Sequence, residues 1–355
     1  MRQADGEWTR MSLLESPKHD TGSKISGGSP KDLSRRAGFL RSGRSMPRKS
    51  LTVMGSFVAD LAFRTPELPA WGQTIMGSGF RLGPGGKGSN QAVAAARLGA
   101  RVSFISKLGR DPFGDLARNT YEAEGIDAQF CFETTEFPTG AAAIIVHEIK
   151  GENAIVVVPG ACFHLTTAEV DQARSLVGQS SVFMTQLELT IPIVMHGLTL
   201  ARSLGVPTIL NPAPALDLPA AIYPLCDYLT PNESEAAGLI GGPVSDIGEA
   251  ERAADILLGR GVKNVVITLG PGGALVRNSE LSKHVAAIDA GPVIETTGAG
   301  DAFNGGFAVA LAEGLDVVSA ARFACAVAGI SVTRHGTAPS MPTRLEVDAL
   351  LENTA

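Results

Sequence analysis

The chain has 355 residues, 44% of them hydrophobic and only 5% aromatic, with 41 glycines. That is material for one large or two modest domains, better suited to tightly packed α/β layers than to a β-sandwich, and no apolar run is long enough to span a membrane. Charge is segregated: residues 1–50 carry 11 basic and 5 acidic side chains and the remainder 19 basic and 31 acidic, so the acidic body offers no electrostatic footprint for nucleic acid.

In chain order, residues 1–50 are rich in Ser and Gly, hold the basic residues Arg35, Arg36, Arg41, Arg44, Arg48 and Lys49, and lack periodicity. They are expected to form a disordered basic extension. Asp5, Glu7, Glu15, Asp20 and Asp32 argue against a transit peptide, and the apolar centre of a secretory signal is missing. The expected reading is an upstream extension with Met46 near the natural beginning.

From residue 51 short β-rich runs alternate with helical ones. Strands are expected over Leu51–Val58, Val102–Leu108, Val182–Leu187, Thr208–Asn211, Tyr228–Pro231 and Val265–Leu269. Helices of 3.6 period are expected over Ser89–Leu98, Phe113–Glu124, Ala168–Val177, Ile193–Leu204, Glu249–Leu258, Asp301–Glu313, Val317–Val332 and Arg344–Leu351. Repeated strand–helix–strand units imply an α/β fold with a mostly parallel sheet covered on both faces. Gly140–Ile149 and Ala154–Val158, joined by a Lys-Gly-Glu-Asn turn, read as a hairpin. With Leu61–Phe63 and Thr74–Phe80 they predict a small antiparallel sheet, set apart as a lid over a cleft at about 57–80 and 140–158.

Cys131, Cys162, Cys226 and Cys325 show no CxxC spacing, and the six histidines no HExxH. The cysteines read as buried free thiols in a reducing, cytoplasmic setting, not as a metal site or disulfide framework.

Six features fall at expected strand ends or helix starts. Gly83-Pro-Gly-Gly-Lys-Gly-Ser-Asn90 matches G-x-G-x-x-G, but the next strand ends Ser106-Lys-Leu-Gly109 without the acid of a dinucleotide site. Lys87 is followed by Gly88, so it is no Walker A lysine either. What remains is a backbone-exposing loop presenting Asn90, suited to a polyhydroxylated ligand or simply to close packing. Asp60 and Glu188 at strand ends suit sugar hydroxyls or ordinary turns. Thr230-Pro-Asn-Glu-Ser-Glu235 suits Mg2+-bound water and phosphate, or helix capping. Thr268-Leu-Gly-Pro-Gly-Gly273 suits a flat ligand such as adenine, or a hairpin. Gly298-Ala-Gly-Asp301 opens an apolar helix, where N–H groups and the helix dipole favour an anion and Asp301 is placed to take a proton; a plain cap accounts for the segment alone equally well.

Together, Gly85-Gly-Lys-Gly88 with Asn90-Gln-Ala-Val-Ala-Ala-Ala96, Leu210-Asn-Pro-Ala-Pro-Ala215, Thr230–Glu235, Gly298–Asp301, Thr333-Arg-His-Gly336 and Pro339-Ser340 resemble the ribokinase-like (PfkB) carbohydrate kinases from about Leu51 to Leu351. The resemblance implies a three-layer α/β/α sandwich with a β-lid that often forms a homodimer contact. It implies transfer of a phosphoryl group from ATP, with Mg2+, to the 5-hydroxyl of ribose. Asp301 matches the catalytic base and Gly298, Ala299 and Gly300 the anion hole. Asp60, Gly86, Lys87, Gly88, Asn90 and Glu188 match sugar-contacting positions. Asn232, Thr268, Leu269, Gly270, Pro271, Gly272, Gly273, Gly300 and Cys325 match nucleotide-contacting ones, and Glu235 an indirect Mg2+ position. Glu295, Thr297, Val332, His335, Thr337 and Ser340 match a potassium site.

Two departures from the family pattern matter. Val58 stands where ribose-specific members carry asparagine and deoxyribose-specific ones an apolar residue, so 2-deoxyribose joins ribose as a candidate, beside other sugars or nucleosides. Glu295 stands where the signature begins with aspartate, which predicts weakened potassium activation. A non-catalytic sugar-binding protein is the alternative from another class, and the complete Gly-Ala-Gly-Asp turn argues against it.

Overall fold

The structure is a computed structural model that describes residues 49–149 and 153–354. The expected basic extension, apart from its last two residues, and the tip of the expected hairpin at 150–152 lie outside the described residues.

Alternation along a buried strand sorts side chains between two cores. In β1 (Ser50–Met54), Leu51 and Val53 enter one core and Met54 the other. The chain then passes straight into β2 (Val58–Thr65) and β3 (Gly79–Gly85), returning through α1 (Lys87–Arg97) to β4 (Arg101–Gly109), α2 (Pro112–Glu124) and β5 (Asp127–Thr134). A second excursion makes β6 (Thr139–His147) and β7 (Asn153–Gly160). There follow α3 (Thr167–Gln172), α4 (Arg174–Gly178), β8 (Val182–Thr185), α5 (Ile191–Ser203), β9 (Thr208–Leu210), β10 (Tyr228–Leu229), α6 (Glu233–Ile240), α7 (Ile247–Gly259) and β11 (Asn264–Thr268). The last elements are β12 (Ala274–Asn278), β13 (Ser282–Val285), α8 (Ala299–Ala312), α9 (Val317–Ser331) and α10 (Arg344–Asn353).

The main sheet has nine strands in the order β13-β12-β11-β10-β9-β8-β1-β4-β5. β11 to β5 along that order are parallel, and β12 and β13 add an antiparallel edge. Residues of α1, α2, α8, α9 and α10 share one core with the sheet, and residues of α3 to α7 share the other. This is the expected α/β/α sandwich. Strand order reverses at β1, so the crevice beyond the carboxyl ends of β1 and β8 is the place where such sheets bind ligands. Among the described residues no helix is long and apolar enough to cross a membrane.

The second sheet has four strands, β3-β2-β6-β7. It is mixed, not purely antiparallel as expected, because β2 pairs parallel with β6. β2 leaves the carboxyl end of β1 and β6 follows the carboxyl end of β5, so both depart the main sheet in one direction. Three further expectations change. The first strand stops at Met54, and Val58 belongs to the second sheet. The strand expected at Thr74–Phe80 is instead Gly79–Gly85, in the register that sets Phe80 opposite Phe63 and Gly85 opposite Val58. The helix expected over Ala168–Val177 is broken at Ala173 into α3 and α4. β5 was not among the expected elements, and α6 and the β12–β13 hairpin were foreshadowed only by the capping reading of Thr230–Glu235 and the hairpin reading of Thr268–Gly273.

Candidate active site

The break after β1 builds the site. A Cβ on Gly55 would lie 2.3 Å from Gln186 Oε1, and one on Gly88 would lie 2.6 Å from the Gly55 Cα. The amino end of α1 therefore sits directly on the strand exit. Gly86 caps α1 at φ +87°, a conformation L side chains rarely adopt, and α1 begins at Lys87, two residues before the expected start. Asn90 consequently lies within the first turn, buried.

Asp60 is not at the carboxyl end of a main-sheet strand, as expected, but the third residue of β2. Its carboxylate occupies the space a Gly85 side chain would fill, with a Gly85 Cβ only 2.3 Å from Asp60 Oδ2. Thr337 Oγ1 lies 3.2 Å from the same oxygen. Burial pushes Asp60 up to about 6, with Glu188 and Asp301 adding to the rise and Thr337 and Arg81 opposing it. Glu188 Oε2 accepts from the Ser56 hydroxyl and, at 2.9 Å, from the Lys87 backbone N–H.

Across the cleft, Asp301 is the third residue of α8 and is 7% exposed. Asn90 Nδ2 donates to Oδ2 at 2.9 Å and Gln91 Nε2 to Oδ1 at 3.0 Å. Burial raises the Asp301 pKa; Lys87, Asn90 and Gln91 oppose the rise and Glu188 adds to it. For Lys87, burial disfavours the charge, but Asp301, Glu188 and Glu235 together hold its pKa above the ordinary lysine value. One lysine and four carboxylates thus share a single electrostatic neighbourhood.

Gly298 precedes α8 at φ +84°, a conformation L side chains rarely adopt, and packs closely on Thr337, whose Cα would be 3.2 Å from a Cβ there. The Ala299 N–H donates to the Thr296 carbonyl at 3.1 Å. The next two N–H groups, of Gly300 and Asp301, lie in the first turn, where a helix offers no acceptor of its own. Gly300 is exposed, with open space where a Cβ would be. An anion fits there.

Asn232 and Glu235 form a capping box: Glu235 N–H donates to Asn232 Oδ1 at 2.8 Å and Asn232 N–H to Glu235 Oε2 at 2.9 Å. The cap reading of this motif is therefore realised. Glu235 is nonetheless buried, its pKa raised by burial and by Asp301 against the pull of the Asn232 N–H and Lys87. Asn232 is bridged to Thr268, the last residue of β11. The Leu269 N–H donates to the Gly273 carbonyl at 2.8 Å, and Gly270–Gly272, including Pro271, form the tight turn into β12. The glycine turn is thus a hairpin beside Asn232. Cys325 lies in the core on α9, its thiol pushed up to about 11 by burial.

The segment matched to a potassium site is brought together differently. The Val332 carbonyl accepts from the Ile294 and Glu295 N–H groups at 2.8 and 3.2 Å. Glu295 Oε2 accepts from the Gly336 N–H at 3.0 Å and lies 3.4 Å from His335 Nδ1. The Thr337 carbonyl accepts from the Ser340 hydroxyl at 2.7 Å. Thr297 lies in the turn before Gly298. Several oxygens that would ligate a cation are engaged by protein donors, so these residues fit a resident potassium ion poorly. Among the described residues no group of three or more His, Cys, Asp or Glu is placed to hold a metal ion. Mg2+ carried on a nucleotide needs only one or two carboxylates, and the buried Glu235, in the electrostatic neighbourhood of Lys87 and Asp301, is a carboxylate of that kind.

Sequence reasoning assigned no role to Ser56, which donates to Glu188, or to Gln186, which donates to Gln91, and it quoted Gln91 and Asn211 within motifs without giving them one. The available signal was polar residues at 90 and 91 opening an otherwise Ala-rich helix. A surface groove of about 350 Å³ lined by Arg202, Asp227, Tyr228 and Lys263 lies at the amino ends of the strands, away from all of these groups.

A proton acceptor at the head of a helix, N–H groups beside it and hydroxyl-binding groups opposite are what phosphoryl transfer to an alcohol requires, and the class defined by this fold and site is the small-molecule kinase. Comparison with known proteins narrows the class. Residues 48–344 match the model of the pfkB family carbohydrate kinases, and the chain belongs to that family. It is similar to the ribokinase of Haemophilus influenzae, 41% identical over 306 residues that cover 86% of this chain and 99% of that protein. It is similar also to the deoxyribokinase of Salmonella typhi, 35% identical over 294 residues, covering 82% and 95%. The structure of Arabidopsis thaliana ribokinase complexed with ribose and ATP matches with a TM-score of 0.81 at 32% identity, covering 86% of this chain and 99% of that one.

Proposed function

We propose that the protein transfers the γ-phosphoryl group of ATP to the 5-hydroxyl of ribose. The observation that carries this reading is Asp301, buried at the head of α8 and held by Asn90 and Gln91 beside open N–H groups. The sugar oxygen forms a bond to the γ-phosphorus, the bond to the bridging oxygen of ADP breaks, and Asp301 takes the hydroxyl proton. The Gly298–Gly300 turn holds the charge that develops on the transferring group. Lys87 adds its positive charge to the same region.

On this reading Asp60, Glu188, Asn90 and the Gly86–Gly88 backbone hold the sugar. Asn232 and the Thr268–Gly273 turn hold the nucleotide. Glu235 would hold Mg2+ at the nucleotide, where the ion would supply charge neutralisation. Cys325 is left as a core residue. The second sheet serves as a lid that excludes water from the cleft. Its face opposite Asp60 exposes Phe63, Phe80, Leu82, Val156 and Val158, an apolar surface that suits a second copy of the chain in a homodimer. The four free cysteines suit a reducing compartment such as the cytoplasm.

The second reading is a 2-deoxypentose as substrate. Val58 shares the inward face of β2 with Asp60 and is 3% exposed, so it presents methyl groups where a hydroxyl would need a partner. Coupled ADP-release assays with ribose, 2-deoxyribose, fructose and nucleosides decide between the readings. Asp301→Ala is expected to lower kcat by about 10²–10⁴ while sugar binding by calorimetry persists; undiminished turnover would overturn the mechanism.

A further inference from the structure

Gln91 is fully buried and makes more directed contacts than packing requires. Its Nε2 donates to Asp301 Oδ1 at 3.0 Å and to Asn211 Oδ1 at 3.1 Å, and its Oε1 accepts from Gln186 Nε2 at 2.6 Å. The orientation of the whole chain of amides is fixed from one end. Asn211 Nδ2 donates to the Thr230 carbonyl at 2.9 Å, a group that can only accept. Asn211 must therefore turn its oxygen to Gln91. That oxygen and the Asp301 carboxylate both call for the Gln91 NH2, which leaves Gln91 Oε1 to Gln186.

The last amide ends without a partner. Gln186 Oε1 is buried and has no hydrogen bond, in a space that exists because residue 55 has no Cβ. An apolar side chain would fill that space without leaving a buried acceptor unsatisfied. The other end of the Gln186 amide accounts for its presence: it is the donor that keeps Gln91 from turning over.

We propose that Gln91 is a positioning residue for the phosphoryl transfer, locked by Gln186 and Asn211 so that its NH2 faces Asp301 and the remaining lone pairs of that carboxylate are left to the sugar hydroxyl. The proposal rests on Asp301 being the base. Without Gln186 the Gln91 oxygen loses its donor and only Asn211 still orients the amide, so the NH2 is held less firmly on the carboxylate, which favours the protonated acid and idles the base.

The test compares Gln186→Met, Gln91→Met and the double variant, with Asp301→Asn alongside. Each single change is expected to lower kcat about tenfold with sugar KM altered by less than about twofold. Each moves the acid limb of the kcat–pH profile upward by about half a unit or more. The double variant is expected to be no worse than Gln91→Met alone, because the two residues act in series. An unmoved acid limb, or penalties that add, overturns the proposal. Gln186→Asn, whose amide stops one methylene short, gives the same readout where the methionine variant does not fold. An active Asp301→Asn enzyme removes the base and this proposal with it; an inactive one beside an unmoved limb in Gln186→Met removes the proposal alone.

Discussion

Asn90 and Asp301 stand 211 positions apart in the chain and meet side chain to side chain at 2.9 Å in the buried floor of the cleft. The bond ties the helix that follows the glycine loop to the helix that carries the proposed base. The two helices approach closely because residue 305 has no Cβ; one there would lie 2.6 Å from the Ala94 Cβ. Asn90→Leu keeps the volume and removes the donor. Asp301 then loses one of the groups that oppose its upward shift, so kcat should fall about tenfold or more and its acid limb should move up. Asn90 is also one of the proposed sugar-contacting residues, so KM should rise as well. Steady-state kinetics across pH check this, and an unchanged KM would take Asn90 out of the sugar site.

Asp60 predicts an opposition between stability and binding. Its folded pKa of about 6 lies above the value near 4 of an unfolded chain. Between those values the folded state holds a proton that the unfolded state releases, so stability falls as pH rises through that window. Above it, ionised Asp60 costs on the order of 2–3 kcal/mol. Asp60→Asn should therefore raise Tm at pH 7.5 by several degrees and leave it nearly unchanged at pH 4. The same change should weaken sugar binding at pH 7.5. Thermal melts at the two pH values check the first part, and a variant less stable at pH 7.5 would contradict the assigned cost of burying the carboxylate.

The parts of the site legible in the sequence are those with a local signature. Glycines at 85, 86 and 88, the capping pair Asn232 and Glu235, and the Gly298–Asp301 turn announce themselves by spacing within a few residues. The Gln186–Gln91–Asp301 chain does not, because its members lie just past β8, on α1 and on α8 and gain meaning only when folded. Asp60 was legible as a carboxylate to be grouped with Glu188 and Asp301, but not in its position on β2. The strand read through Leu51–Val58 continues in apolar residues, and only the contact of Gly55 with Gly88 shows that the chain must leave the main sheet there. β5 alternates burial along an edge of the sheet, a weaker pattern than the continuous apolar runs of the central strands.

Val58 sets the next expectation. It pairs with Gly85 and Gly140 in the second sheet and faces the cleft two residues before Asp60. An asparagine there gains a partner for a sugar hydroxyl, and such a partner is worth about 1–3 kcal/mol. Val58→Asn should shift the kcat/KM ratio toward ribose over 2-deoxyribose by about tenfold. Competition assays with the two sugars measure it, and an unchanged ratio would show that residue 58 does not discriminate.

Glu295 makes a prediction about ions. Its longer side chain reaches the Gly336 N–H, so the loop after α9 is pinned to the segment before the proposed anion-binding turn by a protein hydrogen bond. The Val332 carbonyl between them is occupied by two amide donors. Gly298 packs against Thr337 of the same loop, so this pinning is transmitted to the turn that precedes Asp301. A monovalent cation has little left to organise. Replacing Na+ by K+ should change kcat by less than about fivefold, the low end of an allosteric coupling. Glu295→Asp retracts the carboxylate by one methylene, releases the Gly336 N–H, and should lower kcat in Na+ buffer and increase the response to K+. Strong K+ stimulation of the unmodified protein would show that the hydrogen bonds of this loop give way to the ion.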